Sequence, residues 1–248
     1  MYLIAKRGID ILLAVFVLLV TLPVIVVLMF LLKFTGDGEV FYLQERVGYK
    51  NRRFFIWKFA TMSRNADKIG SGEFTVKNDP RLIPMGKFLR KSKLNELPQI
   101  FNILKGDMTL VGPRPLIPTA FNRYSKEVQR KIYNVKPGIT GIGSVIFRDE
   151  EVLVSKCTDF EQLYRQINGY KGKLEMWYQQ NVGFRTDFLI IFLTAYSILI
   201  PKQQLTFHLF KNLPNGESNQ LDFGVKKKTA EKVSEEQGIM RGQKPMLY

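Results

Sequence analysis

The chain has 248 residues, with 37 Lys and Arg against 22 Asp and Glu, and a formal charge of +15. Its single cysteine, Cys157, excludes an internal disulfide framework, and one cysteine with one histidine excludes multi-Cys and His-rich metal sites. At 46% hydrophobic residues, the chain is too apolar for a disordered polycation. Its chemistry must therefore depend on carboxylates, Arg, Lys and backbone groups.

The first predicted element is the apolar run ILLAVFVLLVTLPVIVVLMFLL at 11–32, which contains no charge. As a helix it is about 33 Å long, enough to cross a bilayer core of about 30 Å. Pro23 predicts a kink, because proline lacks an N–H and clashes with the carbonyl of Leu19. The Thr21 hydroxyl is expected to satisfy a carbonyl freed there.

Two topologies are open for this run: a single-pass anchor, or a bent helix that returns to the same leaflet. A cleaved signal peptide is disfavoured, because the run is too long and no small-residue cleavage site follows. Basic residues, which prefer the cytoplasmic side of a membrane, flank the run at both ends. They are Lys6, Arg7, Lys33, Arg46, Lys50, Arg52, Arg53 and Lys58. The re-entrant helix is favoured because it keeps both flanks inside.

Alternation, helical spacing and turn residues divide the rest of the chain into short elements. In order, we predict a β-hairpin of strands 41–47 and 54–59, helices at 83–94 and 99–104, a rigid Pro-rich loop at 111–115, a helix at 121–133, a loop at 136–151, and a long helix at 160–182 broken near 169–172. From residue 211 the composition is polar and lysine-rich, which predicts a solvated tail.

A second apolar stretch, 188–200, has 13 uncharged residues and is too short to cross a bilayer. It is either a buried core helix or an interfacial helix lying on the leaflet, and the sequence leaves both open. The positive charge of the chain suits a surface of anionic lipids. A nucleic-acid partner is excluded, because the sequence contains no DNA- or RNA-binding signature.

The densest group of polar residues is the run RKSKLNELPQ at 90–99. Its carboxylate, Glu96, could simply supply favourable negative charge to the first turn of a helix. Alternatively, a carboxylate among several cations beside a membrane suits a phosphate-bearing substrate. Arg114 is a second cation, and Pro113 and Pro115 lower the entropy cost of holding it on a ligand.

Three runs resemble the bacterial sugar transferases, the monotopic polyprenyl-phosphate phosphoglycosyl transferases that start capsule, exopolysaccharide or glycan assembly. The runs are FYLQERVGYKNRRFFIWKFATM, DPRLIPMGKFLRKSKLNELPQIFNILKGDMTLVGPRP and VKPGITG, in the order and spacing of the family. The resemblance covers about residues 1–200. It implies an α/β fold that is mainly α, with a re-entrant N-terminal membrane helix broken at Pro23 and a small cytosolic catalytic domain with a short β-hairpin and interfacial amphipathic helices. The expected boundaries are 1–36 for the membrane helix, 37–205 for the catalytic domain and 206–248 for a flexible basic tail.

The resemblance also implies an activity: transfer of a sugar 1-phosphate from a UDP-sugar to undecaprenyl phosphate, with release of UMP and with Mg²⁺ on the diphosphate. The expected location is the bacterial inner membrane, with the catalytic domain on the cytoplasmic leaflet. The family is thought to form a covalent phosphosugar on the Asp of an Asp-Glu pair, and the matching pair here is Asn95-Glu96. A neutral amide cannot act as that nucleophile.

Three outcomes follow from this departure. Glu96 performs the attack; or the lipid phosphate attacks directly while Glu96 holds the metal; or the protein is a catalytically silent, membrane-associated homologue. Ala60 is a second departure, since the family usually has Arg there.

Other family positions are retained in this chain. By resemblance, Arg90 binds phosphate, Lys58 belongs to the substrate site, and Pro113, Arg114 and Pro115 form the loop near the nucleotide. Arg148 falls where the family usually has an Arg after the VKPGITG run. The sequence leaves open the sugar, the pathway and whether the protein is a homo-oligomer.

Overall fold

The fold is taken from a computed structural model, which describes residues 1–64, 66, 79–148, 160–200 and 204–214. It is mainly helical, in agreement with the predicted class. Its elements are α1 (Tyr2–Lys33), β1 (Phe41–Val47), β2 (Arg53–Phe59), α2 (Gly86–Lys91), α3 (Gln99–Lys105), β3 (Thr109–Val111), α4 (Pro118–Asn122), α5 (Lys126–Lys131), β4 (Gly138–Thr140), α6 (Ile142–Ile146), α7 (Phe160–Gln180), α8 (Phe184–Leu199) and α9 (Gln204–Leu209). Two 3₁₀ turns, Tyr49–Asn51 and Leu94–Glu96, complete the described elements.

Helix α1 contains 32 residues and runs through the exposed Pro23 as one helical element, so the predicted kink produces no break in it. The Thr21 hydroxyl donates to the carbonyl of Val17 at 2.7 Å, and not to the Leu19 carbonyl that Pro23 frees. Among the described residues, α1 alone is long and apolar enough to cross a membrane. Its depth and its re-entrance remain predictions.

One face of α1 packs on the rest of the protein along most of its length. Ala14 packs in a cluster with Ile103 of α3, and Ile25 and Leu32 pack with Phe59 at the end of β2. The remaining α1 surface consists largely of exposed Leu, Val, Ile and Phe side chains. Both halves of the helix therefore contact the same folded domain.

Polar side chains attach the N-terminal part of α1 to that domain. Arg7 donates to the carbonyls of Ile103 and Leu104, at 2.6 and 3.0 Å, and so satisfies carbonyls at the C-terminal end of α3. The Asp10 carboxylate accepts from the hydroxyl of Thr109 on β3 at 2.5 Å.

A second polar attachment centres on Asp187 of α8. Its carboxylate accepts from the Tyr2 hydroxyl at 2.6 Å and from the Tyr178 hydroxyl at 2.7 Å, and it forms an ion pair with Lys6. The Lys6 and Asp187 side chains are only 13% and 11% exposed, and this burial strengthens the electrostatic attraction between them.

Strands β1 and β2 pair antiparallel from Phe41↔Phe59 to Val47↔Arg53, which confirms the predicted hairpin. Side-chain alternation places Gln44, Arg46 and Lys58 on one face of this hairpin. Asn102 of α3 pairs with β2: its amide nitrogen donates to the Phe55 carbonyl at 2.7 Å, and its oxygen accepts from the Trp57 amide at 3.0 Å.

The main core lies between α6, α7, α8 and the parallel pair β3–β4, with Ile142, Leu174 and Ile190 buried in it. Helix α8 corresponds to the second apolar stretch and buries one face, while Phe188 on the other face is exposed. Phe210, just after α9, is buried in the same core, so packing extends into the predicted tail; residues 215–248 lie outside the described residues.

Several predicted boundaries were wrong. The helix at 121–133 is two helices, because Ser125 accepts from the Val128 amide and begins α5 as a new helix. The helix predicted at 83–94 begins at Gly86 and ends at Lys91, two residues before Lys93, whose backbone is left-handed (φ 60°). The predicted loop at 136–151 contains β4 and α6, and α7 is unbroken at 169–172.

Candidate active site

The loop between β3 and α4 presents Arg114 and is extended, as its prolines predict. Its backbone is anchored at both ends: the Gly138 amide donates to the Pro113 carbonyl at 2.9 Å, and the Val47 amide donates to the Leu116 carbonyl at 2.8 Å. A Cβ at Gly138 would clash with the backbone of Gly112. Glycine at position 138 therefore allows the PGITG segment to lie this close to the loop.

Two side chains from other elements hold the centre of the loop. The Tyr133 hydroxyl donates to the Arg114 carbonyl at 2.8 Å and accepts from the Leu116 amide at 2.9 Å. Arg46 of β1 donates to the Pro115 carbonyl at 3.0 Å. The Arg114 side chain, half-exposed, extends from this fixed backbone.

Glu96 is brought to the same place by the turn that follows α2. The left-handed Lys93 ends the helix and begins the 3₁₀ turn Leu94–Glu96, whose last residue faces Arg114. The Glu96 carboxylate lies 3.9 Å from the Arg114 guanidinium, and 22% of the Glu96 side chain is exposed. This ion pair is longer than a hydrogen bond and leaves both groups available to a ligand.

The charge of Glu96 is set by opposing effects. Burial raises the pKa of the carboxyl, but Arg114, Lys58, Lys93 and Arg46 lower it, and the net pKa is below the ordinary value. Glu96 is therefore a carboxylate at neutral pH, available as a nucleophile or as a metal ligand.

Lys58 is the most strongly perturbed cation beside Glu96. Burial, together with the neighbouring Arg46 and Arg114, lowers its pKa to about 7 against the opposing effect of Glu96. Its ammonium lies 3.3 Å from the Gln44 side-chain oxygen. Burial likewise lowers the pKa of Arg46, to about 10, so Arg46 keeps its charge at neutral pH.

Lys58, Arg46 and Arg114 line a small pocket between the hairpin, α3 and the Arg114 loop. Its lining residues are Arg46, Ile56, Lys58, Gln99, Arg114, Pro115, Gly138 and Ile139. Three cations, Arg46, Lys58 and Arg114, thus lie together beside the Glu96 carboxylate, an arrangement that favours an anionic ligand. Such a site fits a diphosphate better than a neutral molecule.

Asn95 is 8% exposed, and its side-chain oxygen has no hydrogen-bond partner among the described residues. Arg90 donates to the Thr61 hydroxyl at 2.9 Å and is close enough to lower the pKa of Lys58. The structure thus brings Glu96, Lys58, Arg114 and Arg90 together, with Asn95 next to Glu96 in the chain. Their roles in the reaction remain predictions.

Arg148 and Pro23 do not line this pocket. Arg148 follows α6 and is exposed. Its part in substrate binding remains a prediction, as does the membrane role of Pro23.

Sequence reasoning missed four residues of this site. Gln44 and Arg46 could have been found from the period-two alternation of β1 and its pairing with the strand that carries Lys58. Tyr133 and Glu175 have no local signal, because they reach the Arg114 loop only through packing.

Glu175 of α7 is a buried carboxyl behind the Arg114 loop. Burial raises its pKa to about 8, against opposing effects from Lys171 and from a hydrogen bond with the Arg114 backbone. One of its oxygens has no hydrogen-bond partner among the described residues. Glu175 is therefore mostly protonated at neutral pH and serves the backbone of the loop instead of adding to its charge.

The acidic groups of this site fit Mg²⁺ only in part. No cluster of three or more His, Cys, Asp or Glu side chains occurs in the described ranges. Mg²⁺ is, however, commonly held by one or two protein oxygens together with substrate phosphates. The Glu96 carboxylate and the unpartnered Asn95 oxygen supply such oxygens.

Comparison with protein-family models matches residues 1–201 to the family described as bacterial sugar transferase. The chain therefore belongs to the bacterial sugar transferase family, as its motifs indicate.

Curated relatives agree with this assignment. The chain is 36% identical over 200 residues to the UDP-N-acetylgalactosamine-undecaprenyl-phosphate N-acetylgalactosaminephosphotransferase of Aeromonas hydrophila, covering 80% of this chain and 44% of the relative. It is 34% identical to the undecaprenyl-phosphate galactose phosphotransferase of Salmonella typhimurium (78% and 40% covered) and 29% identical to the exopolysaccharide production protein ExoY of Sinorhizobium fredii (80% and 87% covered). The chain thus spans less than half the length of the first two relatives.

Proposed function

We propose that this protein transfers a sugar 1-phosphate from a UDP-sugar to undecaprenyl phosphate and releases UMP, as the first step of surface polysaccharide or glycan assembly. The observation that carries the proposal is the group of cations beside Glu96, three of which (Arg46, Lys58 and Arg114) line the adjoining pocket, in a chain of the bacterial sugar transferase family. The names of its relatives supply the substrate class.

In the overall reaction, a phosphate oxygen of the lipid ends bonded to the sugar-bearing phosphorus of the UDP-sugar. The bond from that phosphorus to the oxygen bridging to the uridine-bearing phosphorus breaks, and UMP leaves with that oxygen. Both substrates are anions, so their mutual repulsion must be offset. Arg114 and Arg46 supply fixed positive charge in the pocket, and Lys58 adds to it when protonated; their arrangement before binding reduces reorganisation during the reaction.

Mg²⁺ is part of the proposal and supplies further neutralising charge on the diphosphate when bound. The Glu96 carboxylate and the Asn95 side-chain oxygen are the protein groups that would hold it. The cations beside Glu96 oppose binding of the free ion, so we expect Mg²⁺ to enter with the diphosphate.

Glu96 is the carboxylate that we place in the reaction, because Asn95 cannot be ionised. If Glu96 attacks, a phosphosugar forms on its carboxylate, UMP leaves, and the lipid phosphate then displaces Glu96. If the lipid phosphate attacks directly, no adduct forms. Mass spectrometry after incubation with UDP-sugar alone distinguishes the two routes, since the first gives a phosphosugar adduct on Glu96.

The proposed location is the cytoplasmic leaflet of the inner membrane. Contacts of both halves of α1 with one domain support a helix that enters the leaflet without crossing, because a crossing helix carries one end about 30 Å away. With Cys157 replaced by Ser, the Ile4→Cys and Phe34→Cys variants should share protection from an external thiol reagent in intact cells. Opposite labelling of the two positions would establish a spanning helix.

The activity is tested with membranes that contain the protein, a panel of UDP-sugars, undecaprenyl phosphate and Mg²⁺. We expect UMP release from at least one UDP-sugar, and only when both the lipid phosphate and Mg²⁺ are present. Glu96→Gln should abolish turnover, while Glu127→Gln, a change at an exposed glutamate on α5, should not. Wild-type turnover in Glu96→Gln would remove Glu96 from both proposed roles.

A silent homologue is the second candidate, favoured by Asn95 at the position of the nucleophile. The Asn95→Asp variant separates the two readings. If the wild-type protein releases no UMP from any UDP-sugar and Asn95→Asp alone restores release, the protein is a silent partner.

A further inference from the structure

We infer that Tyr133 is a positioning residue for Arg114: its hydroxyl fixes the peptide between Arg114 and Pro115 and thereby aims the guanidinium at the phosphate-bearing substrate. This inference rests on the proposed function for its substrate and on the contacts of the Arg114 loop for its geometry. Tyr133 lies outside the motifs that carry the family resemblance.

The geometry is a two-point contact by a single hydroxyl. Tyr133 donates to the Arg114 carbonyl at 2.8 Å and accepts from the Leu116 amide at 2.9 Å, so it bridges the two peptides that flank Pro115. A hydroxyl has one proton and can still accept, so both contacts form at once. Burial also raises the pKa of this hydroxyl, which keeps it protonated over the working pH range.

The backbone on both sides of the Arg114 Cα is consequently held. Tyr133 holds its carbonyl, Glu175 faces its amide, and Pro115 confines its ψ to the extended region. When both flanking peptide planes are fixed, the direction of the Cα–Cβ bond is fixed too. The Arg114 side chain then loses less conformational freedom when it binds a phosphate.

The ring and the hydroxyl of Tyr133 have separable roles. The side chain is 1% exposed, and its ring stacks on Phe121 at 5.9 Å within the cluster that contains Val47 and Ile132. Tyr133→Phe keeps this packing and removes only the hydroxyl. The change leaves the Arg114 carbonyl and the Leu116 amide without their partner, and unpaired buried polar groups are costly.

The test is a double-mutant cycle on UDP-sugar turnover and binding, with Tyr133→Phe, Arg114→Ala and the two combined. We expect Tyr133→Phe alone to lower kcat/KM about tenfold, and to lower it by less than about twofold when Arg114 is already Ala. Tyr170→Phe, which removes a buried hydroxyl from the neighbouring core, is the matched control and should leave kcat/KM within about twofold. Equal losses from Tyr133→Phe in both backgrounds would overturn the inference, because Tyr133 would then act independently of Arg114.

Hydrogen exchange supplies a readout that needs no turnover. Tyr133→Phe should speed amide exchange at Leu116 while exchange in β1 and β2 stays unchanged. Unchanged exchange at Leu116 also overturns the inference. If wild-type membranes release no UMP, the proposed function fails, but exchange at Leu116 and the same mutant cycle on UDP binding still decide the role of Tyr133.

Discussion

Lys58 should make binding of the UDP-sugar depend on pH. Burial lowers its pKa to about 7, so in the free protein its charge is lost just above neutral pH. A diphosphate beside the ammonium favours the charged form, so binding at higher pH must be accompanied by proton uptake. The UDP-sugar diphosphate has no group of its own that titrates near pH 7 to 8.

The magnitude follows from the fraction of Lys58 that is charged. With a pKa of about 7, about half of the Lys58 side chains carry a charge at pH 7 and about a tenth at pH 8. The apparent affinity falls with the fraction of binding-competent protein. We therefore expect the apparent Kd for an accepted UDP-sugar with Mg²⁺ to rise about fivefold between pH 7 and pH 8.

The assay is isothermal titration calorimetry in buffers of different ionisation enthalpy. At pH 8 the wild-type protein should take up close to one proton for each ligand bound. Lys58→Arg is the matched variant, because an arginine at this position keeps its charge through pH 8 and should abolish both the proton uptake and the fivefold change. The same pH dependence in wild type and Lys58→Arg would refute the assignment of this titration to Lys58.

Three further changes test stability by unfolding in detergent micelles. Burial raises the pKa of Glu175 from 4.5 to about 8, so the folded protein binds an extra proton and loses stability as the pH rises from about 4.5 to 8. Glu175→Gln should remove this loss, which amounts to up to about 5 kcal/mol in the free energy of unfolding. Asn102→Ala should lower the free energy of unfolding by about 3 kcal/mol, because it leaves two backbone groups of β2 unpaired. A decrease of less than about 1 kcal/mol would contradict this expectation. Asp187→Asn should lower the free energy of unfolding by about 3 kcal/mol, because it leaves the mostly buried Lys6 without its carboxylate partner. An unchanged unfolding temperature would show that this ion pair does not stabilise the protein.

Structural features that depend on residues close together in the sequence were predicted well. The hairpin follows from alternation around a turn, and α3 from Pro98 before it and Gly106 after it, where φ is 96°. The extended Arg114 loop follows from its prolines. These features depend on interactions within a few residues, which are readable from the order of residue types.

Two helix predictions failed because the structure depends on a contact that the spacing of residue types did not indicate. The split at Ser125 depends on a cap that the longer apolar spacing of 121–133 concealed. The break predicted at 169–172 did not occur, because α7 packs along the main core, and this packing outweighs the weak helix propensity of glycine.

By itself, the sequence determined the number and sign of the charged residues, the apolar helix and the family motifs, because these depend on residue type and short spacing. Only the tertiary structure decided which of many cations surround Glu96. Arg46 joins it through the register of β1 on β2, and Tyr133 reaches the Arg114 loop from a separate element. Contacts between residues far apart in the chain are fixed by the packing of whole elements, and no local pattern records them.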